Sequence, residues 1–120
     1  LNHLLWGDQL WMSRFDGGDG PSVAFSECTD MTPTPAAWWA ERFRTDGRIR
    51  VWADDLSALD TVGDLSYTSA IAGEMTKPKA MCMVHFFNHQ THHRGQIHAM
   101  ITASGRKTED TDLIFMPEAD

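Results

Sequence analysis

The chain has 120 residues, enough for one domain with a substantial core and too few for two ordinary ones. Its 10 lysines and arginines stand against 17 aspartates and glutamates, a formal charge of −7. The basic groups Arg42, Arg44, Arg48 and Arg50, and Lys77 with Lys79, are broken up by acids and apolar residues, so nucleic acid is not expected as a partner. No apolar run approaches the ~20 residues that span a bilayer, and no signal-peptide pattern opens the chain, so no membrane association and a cytoplasmic location are expected.

From Leu1 to about Phe15 the apolar residues recur at helical spacing, with Trp6 and Leu10 on one side of His3 and Leu4 and Trp11 on the other. His3 therefore points inward. Gly7, one turn further along the same face, removes bulk where a second helix or a small ligand has to approach, although glycine weakens a helix. The run Asp16-Gly17-Gly18-Asp19-Gly20-Pro21 ends this helix, and a loop with little periodicity continues through Cys28 to Pro33. Cys28 and Cys82 are the only two cysteines, and nothing about their spacing suggests a ligand pair or a disulfide framework. Cys82 reads as a small buried residue.

Thr34-Pro35 is an N-cap followed by proline at the first helical position. The helix it opens carries Trp38, Trp39, Phe43, Ile49, Trp52, Leu56 and Leu59, with Asp46-Gly47 as a place where it can bend. Tryptophans at this spacing suit a core or bundle interface better than a ligand-stacking platform. Val62 to Met75 holds a short hairpin or an irregular crossover, with weak alternation at Leu65 and Tyr67. Thr76 or a neighbour caps the last helix, which runs to Ser104 and stops at Gly105, a fitting C′ residue.

That last helix holds five of the chain's six histidines, between His85 and His98. Neutral imidazole is the commonest protein ligand for zinc and related ions, and histidines at i and i+4 on a helix can grip one ion together. At ~100° per residue, His89 and His93 share the core-facing arc with Cys82, Phe86, Ile97 and Met100. His85, His92 and Gln96 lie at its edge, and His98 falls on the far side beside Phe87. His89 and His93 are thus the expected pair, His3 is the natural third ligand, and His85 and His92 stand in reserve. Three histidines leave a coordination position open, which by the logic of zinc sites marks a catalytic ion. Such an ion lowers the pKa of bound water towards ~7 or holds a thiol as thiolate.

Asp8, Asn88, Gln96, Asp110 and Asp112 are the groups available to orient the imidazoles or receive a proton. Arg94 or Gln96 is also placed to tie Asp110 or Asp112 over the histidine helix, since a guanidinium fork suits a carboxylate. No glutamate separates His89 from His93, so a zincin protease would lack its general base. The helix also lacks the glutamates of a di-iron carboxylate bundle.

The block His89-x3-His93-Arg94-Gly95-Gln96, with His3-Leu4-Leu5-Trp6-Gly7-Asp8-x2-Trp11, resembles the DinB/YfiT-like superfamily of metalloenzymes over nearly the whole chain. The closing Asp110-Thr111-Asp112-Leu113-Ile114-Phe115-Met116-Pro117-Glu118 is similar to the end of one DinB subgroup. The resemblance implies an all-α fold, an up-down four-helix bundle forming a single domain over 1–120. It also implies a three-histidine site for a divalent metal, zinc or nickel, with ligands mapping onto His3, His89 and His93. A further helix would precede the one that carries the first histidine, and this chain opens already inside that second helix. Three amphipathic helices would then expose an apolar stripe, so the chain is expected to pair as a two-fold homodimer. For activity, the resemblance implies a metal-dependent transferase acting with a low-molecular-weight thiol (bacillithiol, mycothiol or glutathione) or a hydrolase. A noncatalytic metal-binding or stress-associated protein is the alternative.

Overall fold

The computed structural model describes residues 1–117; Glu118, which closes the C-terminal resemblance, lies outside them. Helix α1 spans Asn2–Asp16, α2 Pro35–Asp54 and α3 Lys79–Ala103, while strands β1 (Asp64–Ser69) and β2 (Gly73–Pro78) form an antiparallel hairpin ahead of α3. Short 3-10 turns occupy Phe25–Asp30, Ala58–Thr61 and Leu113–Phe115. Among the described residues the architecture is thus mainly helical: three α-helices, with a small two-stranded antiparallel sheet in the crossover ahead of α3.

Helix α1 packs against both other helices and is the most deeply buried element. It sends Leu4, Leu5, Trp6, Trp11 and Met12 inward. It ends where the glycine run predicts, because Gly17 takes a left-handed φ of 71° that other residues resist. The centre of the core joins Trp11 and Met12 to Cys82 and Phe86 of α3, with Phe15, Ile49, Trp52, Leu65 and Tyr67 packed around them. Phe15 stacks on Trp52 at 5.0 Å, and Phe86 meets both rings edge-on at 5.7 and 6.2 Å. These are the favoured offset and T-shaped arrangements of aromatic pairs. Cys82 is buried, as the helical wheel requires, but Met100 on the same arc is exposed because α3 outruns its partners there.

Thr34 caps α2 as expected, its Oγ1 accepting the Ala37 N–H at 3.1 Å with Pro35 at the first position. The helix stops at Asp54, five residues before Leu59, and passes through Gly47 without interruption. Two physical causes end it. Asp54 and Asp55 oppose the negative end of the helix dipole, and Ser57 starts a separate turn in which the Asp60 carboxylate accepts both the Ser57 backbone N–H and hydroxyl.

The segment 62–75 resolves in favour of the hairpin. Asp64 pairs with Pro78 and Ser69 with Gly73, leaving a three-residue loop closed by Gly73 at φ 70°. Ser69 Oγ accepts the N–H groups of Ile71 and Ala72 and so nucleates the turn. Half-buried Leu65 and Tyr67 face the core, and Arg14 lies over the rings of Tyr67 and Trp11 at 4.3 and 4.5 Å. Because the strand ladder holds Thr76 through Pro78, α3 begins at Lys79 rather than Thr76. At its other end Gly105 adopts φ 80°, the Arg106 N–H reaches Ile101 O and the Gly105 N–H reaches Thr102 O, a Schellman closure.

Candidate metal centre

α1 supplies His3 and α3 supplies His89 and His93, one turn apart on the same face. Each is half-buried, and each offers one nitrogen such that the three atoms lie within 4.8 Å of one another. His89 Nε2 and His93 Nε2 stand 3.1 Å apart. Two nitrogens at zinc-ligand distance in a tetrahedral site would be separated by about 3.3 Å, so the donor set fits a small divalent ion.

Two of the ring nitrogens turned away from the cluster, those of His93 and His3, have side-chain partners. His93 Nδ1 lies 2.8 Å from Gln96 Oε1, and an amide oxygen can only accept. The contact thus favours the Nδ1–H tautomer, which leaves the Nε2 lone pair for the centre. Burial followed by the neighbouring imidazoles, His93 first, lowers the His89 pKa to about 4. Burial and His93 also lower that of His3. Both effects favour neutral imidazole, the form that ligates.

Gly7 explains how the two helices come so close. A Cβ there would sit 3.1 Å from His89 Cε1, tighter than a methyl group tolerates without pushing the ring. The remaining histidines stay outside the cluster: exposed His85 packs on Trp11 at 5.2 Å, exposed His92 lies beside His93 at 5.0 Å, and His98 sits further along α3.

Of the five groups available for orienting imidazoles, Gln96 takes that role. Asp8 does not. It is 1 % exposed and accepts Arg42 Nη1 at 2.6 Å and Gln90 Nε2 at 3.2 Å. Burial lifts its carboxyl above the usual range, while Arg42 and Gln90 pull it back. Asn88, Asp110 and Asp112 are exposed. Arg94 bonds Gln90 Oε1 at 3.3 Å, and among the described residues it makes no ion pair with Asp110 or Asp112. The nearer acceptor, one turn back on the same helix, takes the guanidinium instead. Asp110 Oδ1 accepts the Asp112 backbone N–H.

Sequence reasoning missed Cys28, Arg42 and Gln90. Gln90 sits beside His89 on the buried side of the wheel, which was a usable signal; Cys28 in its aperiodic loop and Arg42 in a basic run gave none.

His3 also lines a cavity of about 450 Å³, walled by Pro33, Pro35 and Trp38 and by Thr29, Thr32 and Thr34. A larger one of about 560 Å³ lies at the other end of α1, around Phe15, Trp52 and Met83, and touches none of the histidines. Three clustered imidazoles could hold a metal ion, and beside His3, though not lined by His89 or His93, is room for a small molecule.

The sequence model of the DinB family matches residues 1–120. The chain belongs to the DinB family. No curated protein and no solved structure matches it. Within this DinB chain the matched span includes His3, His89 and His93 together with Gly7 and Gln96.

Proposed function

We propose that this DinB protein binds a divalent metal ion, zinc or nickel, through His3, His89 and His93 and uses it in transfer chemistry with a low-molecular-weight thiol. The observation that carries the reading is the close approach of three imidazole nitrogens, with His3 also lining an open cavity. Three ligands leave a position free for a reactant, and imidazole suits both metals. When bound, the ion would supply Lewis acidity, holding a thiol as thiolate or acidifying a water.

The chain's own residues do the rest. The imidazoles hold the ion, Gln96 orients His93, and Pro33, Pro35 and Trp38 give the acceptor an apolar wall beside His3. Thiol transfer is preferred to hydrolysis because Asp8, the buried carboxylate, is engaged by Arg42 and Gln90 and unavailable as a general base.

A screen of small thiols, and of water alone, against electrophilic acceptors at fixed metal load tests the proposal. The expected result is thiol-dependent turnover well above that of the free ion. Turnover no faster than free metal with every thiol would leave the noncatalytic metal-binding reading.

The same proposal includes a cytoplasmic location and self-association. No described helix is long and apolar enough to cross a membrane. Trp39 and Phe43 of α2, 66 % and 75 % exposed, and Val84 and Phe87 of α3 are large apolar side chains left facing solvent. A two-fold pairing of chains would cover them. Light scattering over a concentration series should report twice the chain mass, and a strictly monomeric, soluble chain would dismiss the dimer.

A further inference from the structure

The loop between α1 and α2 is fastened around His3. Asn2, the residue before it, donates from Nδ2 to Thr29 O at 2.7 Å and Thr32 O at 3.2 Å, and the Thr32 hydroxyl donates back to Asn2 Oδ1. One turn on, Trp6 Nε1 donates to Val23 O at 2.9 Å. Within this clamp the His3 ring meets Phe25 edge-on at 6.0 Å. Its Nδ1 lies 3.6 Å from the sulfur of Cys28, a residue only 5 % exposed.

A ligating imidazole commonly donates its second N–H to a partner, and that partner sets both the tautomer and the ring orientation. For His93 the partner is Gln96; for His3 the group in place is Cys28. Cys28 Sγ does not join the group of mutually close ligand atoms, and the other cysteine, Cys82, is free in the core. Neither direct ligation nor a disulfide accounts for its position.

We infer that Cys28 is a positioning residue for the metal centre: its sulfur accepts the His3 Nδ1–H and so presents Nε2 to His89 and His93. This rests on the metal-site reading above. Sulfur is a weak acceptor, so the effect belongs at the low end of what outer-shell partners contribute, about tenfold in metal affinity.

The test combines zinc competition titrations and cobalt absorption spectra with long-range 1H–15N correlation of the His3 imidazole. The proteins compared are the wild type, Cys28→Ala and Cys28→Ser. His3 should be the Nδ1–H tautomer in wild type with or without metal. Cys28→Ala should bind zinc about tenfold more weakly and shift the His3 nitrogen resonances, and Cys28→Ser, which keeps an acceptor, should recover most of both. A serine variant no better than alanine would reduce Cys28 to a packing role and overturn the inference. So would wild-type affinity and unchanged His3 resonances in Cys28→Ala, or an Nε2–H tautomer in the wild type. A wild type that binds neither zinc nor cobalt while His3 keeps the Nδ1–H tautomer sustains the Cys28 contact and refutes the metal reading instead.

Discussion

His89→Ala and His93→Ala are each expected to strip the protein of nearly all its bound metal, whereas His98→Ala should retain it. The two imidazoles present nitrogens 3.1 Å apart, with no further histidine in the cluster except His3. Losing either leaves two donors, too few to hold a labile ion against water. The fall in affinity should exceed the roughly 100-fold that marks the upper end for outer-shell partners. His3→Ala should behave alike, while exposed His85 and His92, which pack beside the cluster without joining it, should be dispensable.

Metal stoichiometry by mass spectrometry after dialysis reads the result directly. Equal losses at His98 would sink the assignment. Gly7→Ala provides a finer arm, since it removes no ligand. Alanine favours a helix by up to about 1 kcal/mol relative to glycine, yet the added methyl would press on His89 Cε1. Affinity should therefore drop without a matching loss of stability.

The second large effect concerns folding. Asp8→Leu is expected to destabilise the chain by about 3 kcal/mol, as removal of one partner from a buried ion pair does. Asp8 joins α1 to Arg42 of α2 and Gln90 of α3, and Arg94 extends the network from Gln90. Without the carboxylate, Arg42, whose side chain is 12 % exposed, would keep only Asp46, itself 58 % exposed. Gln90 would lose its acceptor at the same time. The double variant Asp8→Leu with Arg42→Met should recover much of the loss, because well-packed apolar groups often replace a buried pair without penalty. Chemical denaturation with both variants separates the outcomes, and a single variant as stable as wild type would show that the network contributes little to folding.

Local signals carried much of the architecture. The Asp16-Gly17 stop, the Thr34-Pro35 start and the Gly105 terminus appear where their chemistry puts them, because caps and left-handed glycines act within a few residues. Boundaries that depend on competition between neighbours were less legible. Leu59 continues the apolar pattern of α2, but the Ser57–Asp60 turn takes over. Thr76 is a good cap, but its ladder with Ser66 claims it.

The clustered histidines were readable for the same local reason: spacing of i and i+4 on one helix puts His89 and His93 on one face whatever lies opposite, and an inward His3 beside a glycine is a pattern within a single turn. What lies opposite was decided only by the tertiary structure. It set Cys28 against His3 across 25 residues of chain and Gln90 against Asp8 across 82. It also gave the buried Asp8 carboxylate to Arg42 rather than to an imidazole. A hydrogen bond's partner depends on distance in space, and periodicity along one helix has no information about which loop or neighbouring helix will bring that partner within reach.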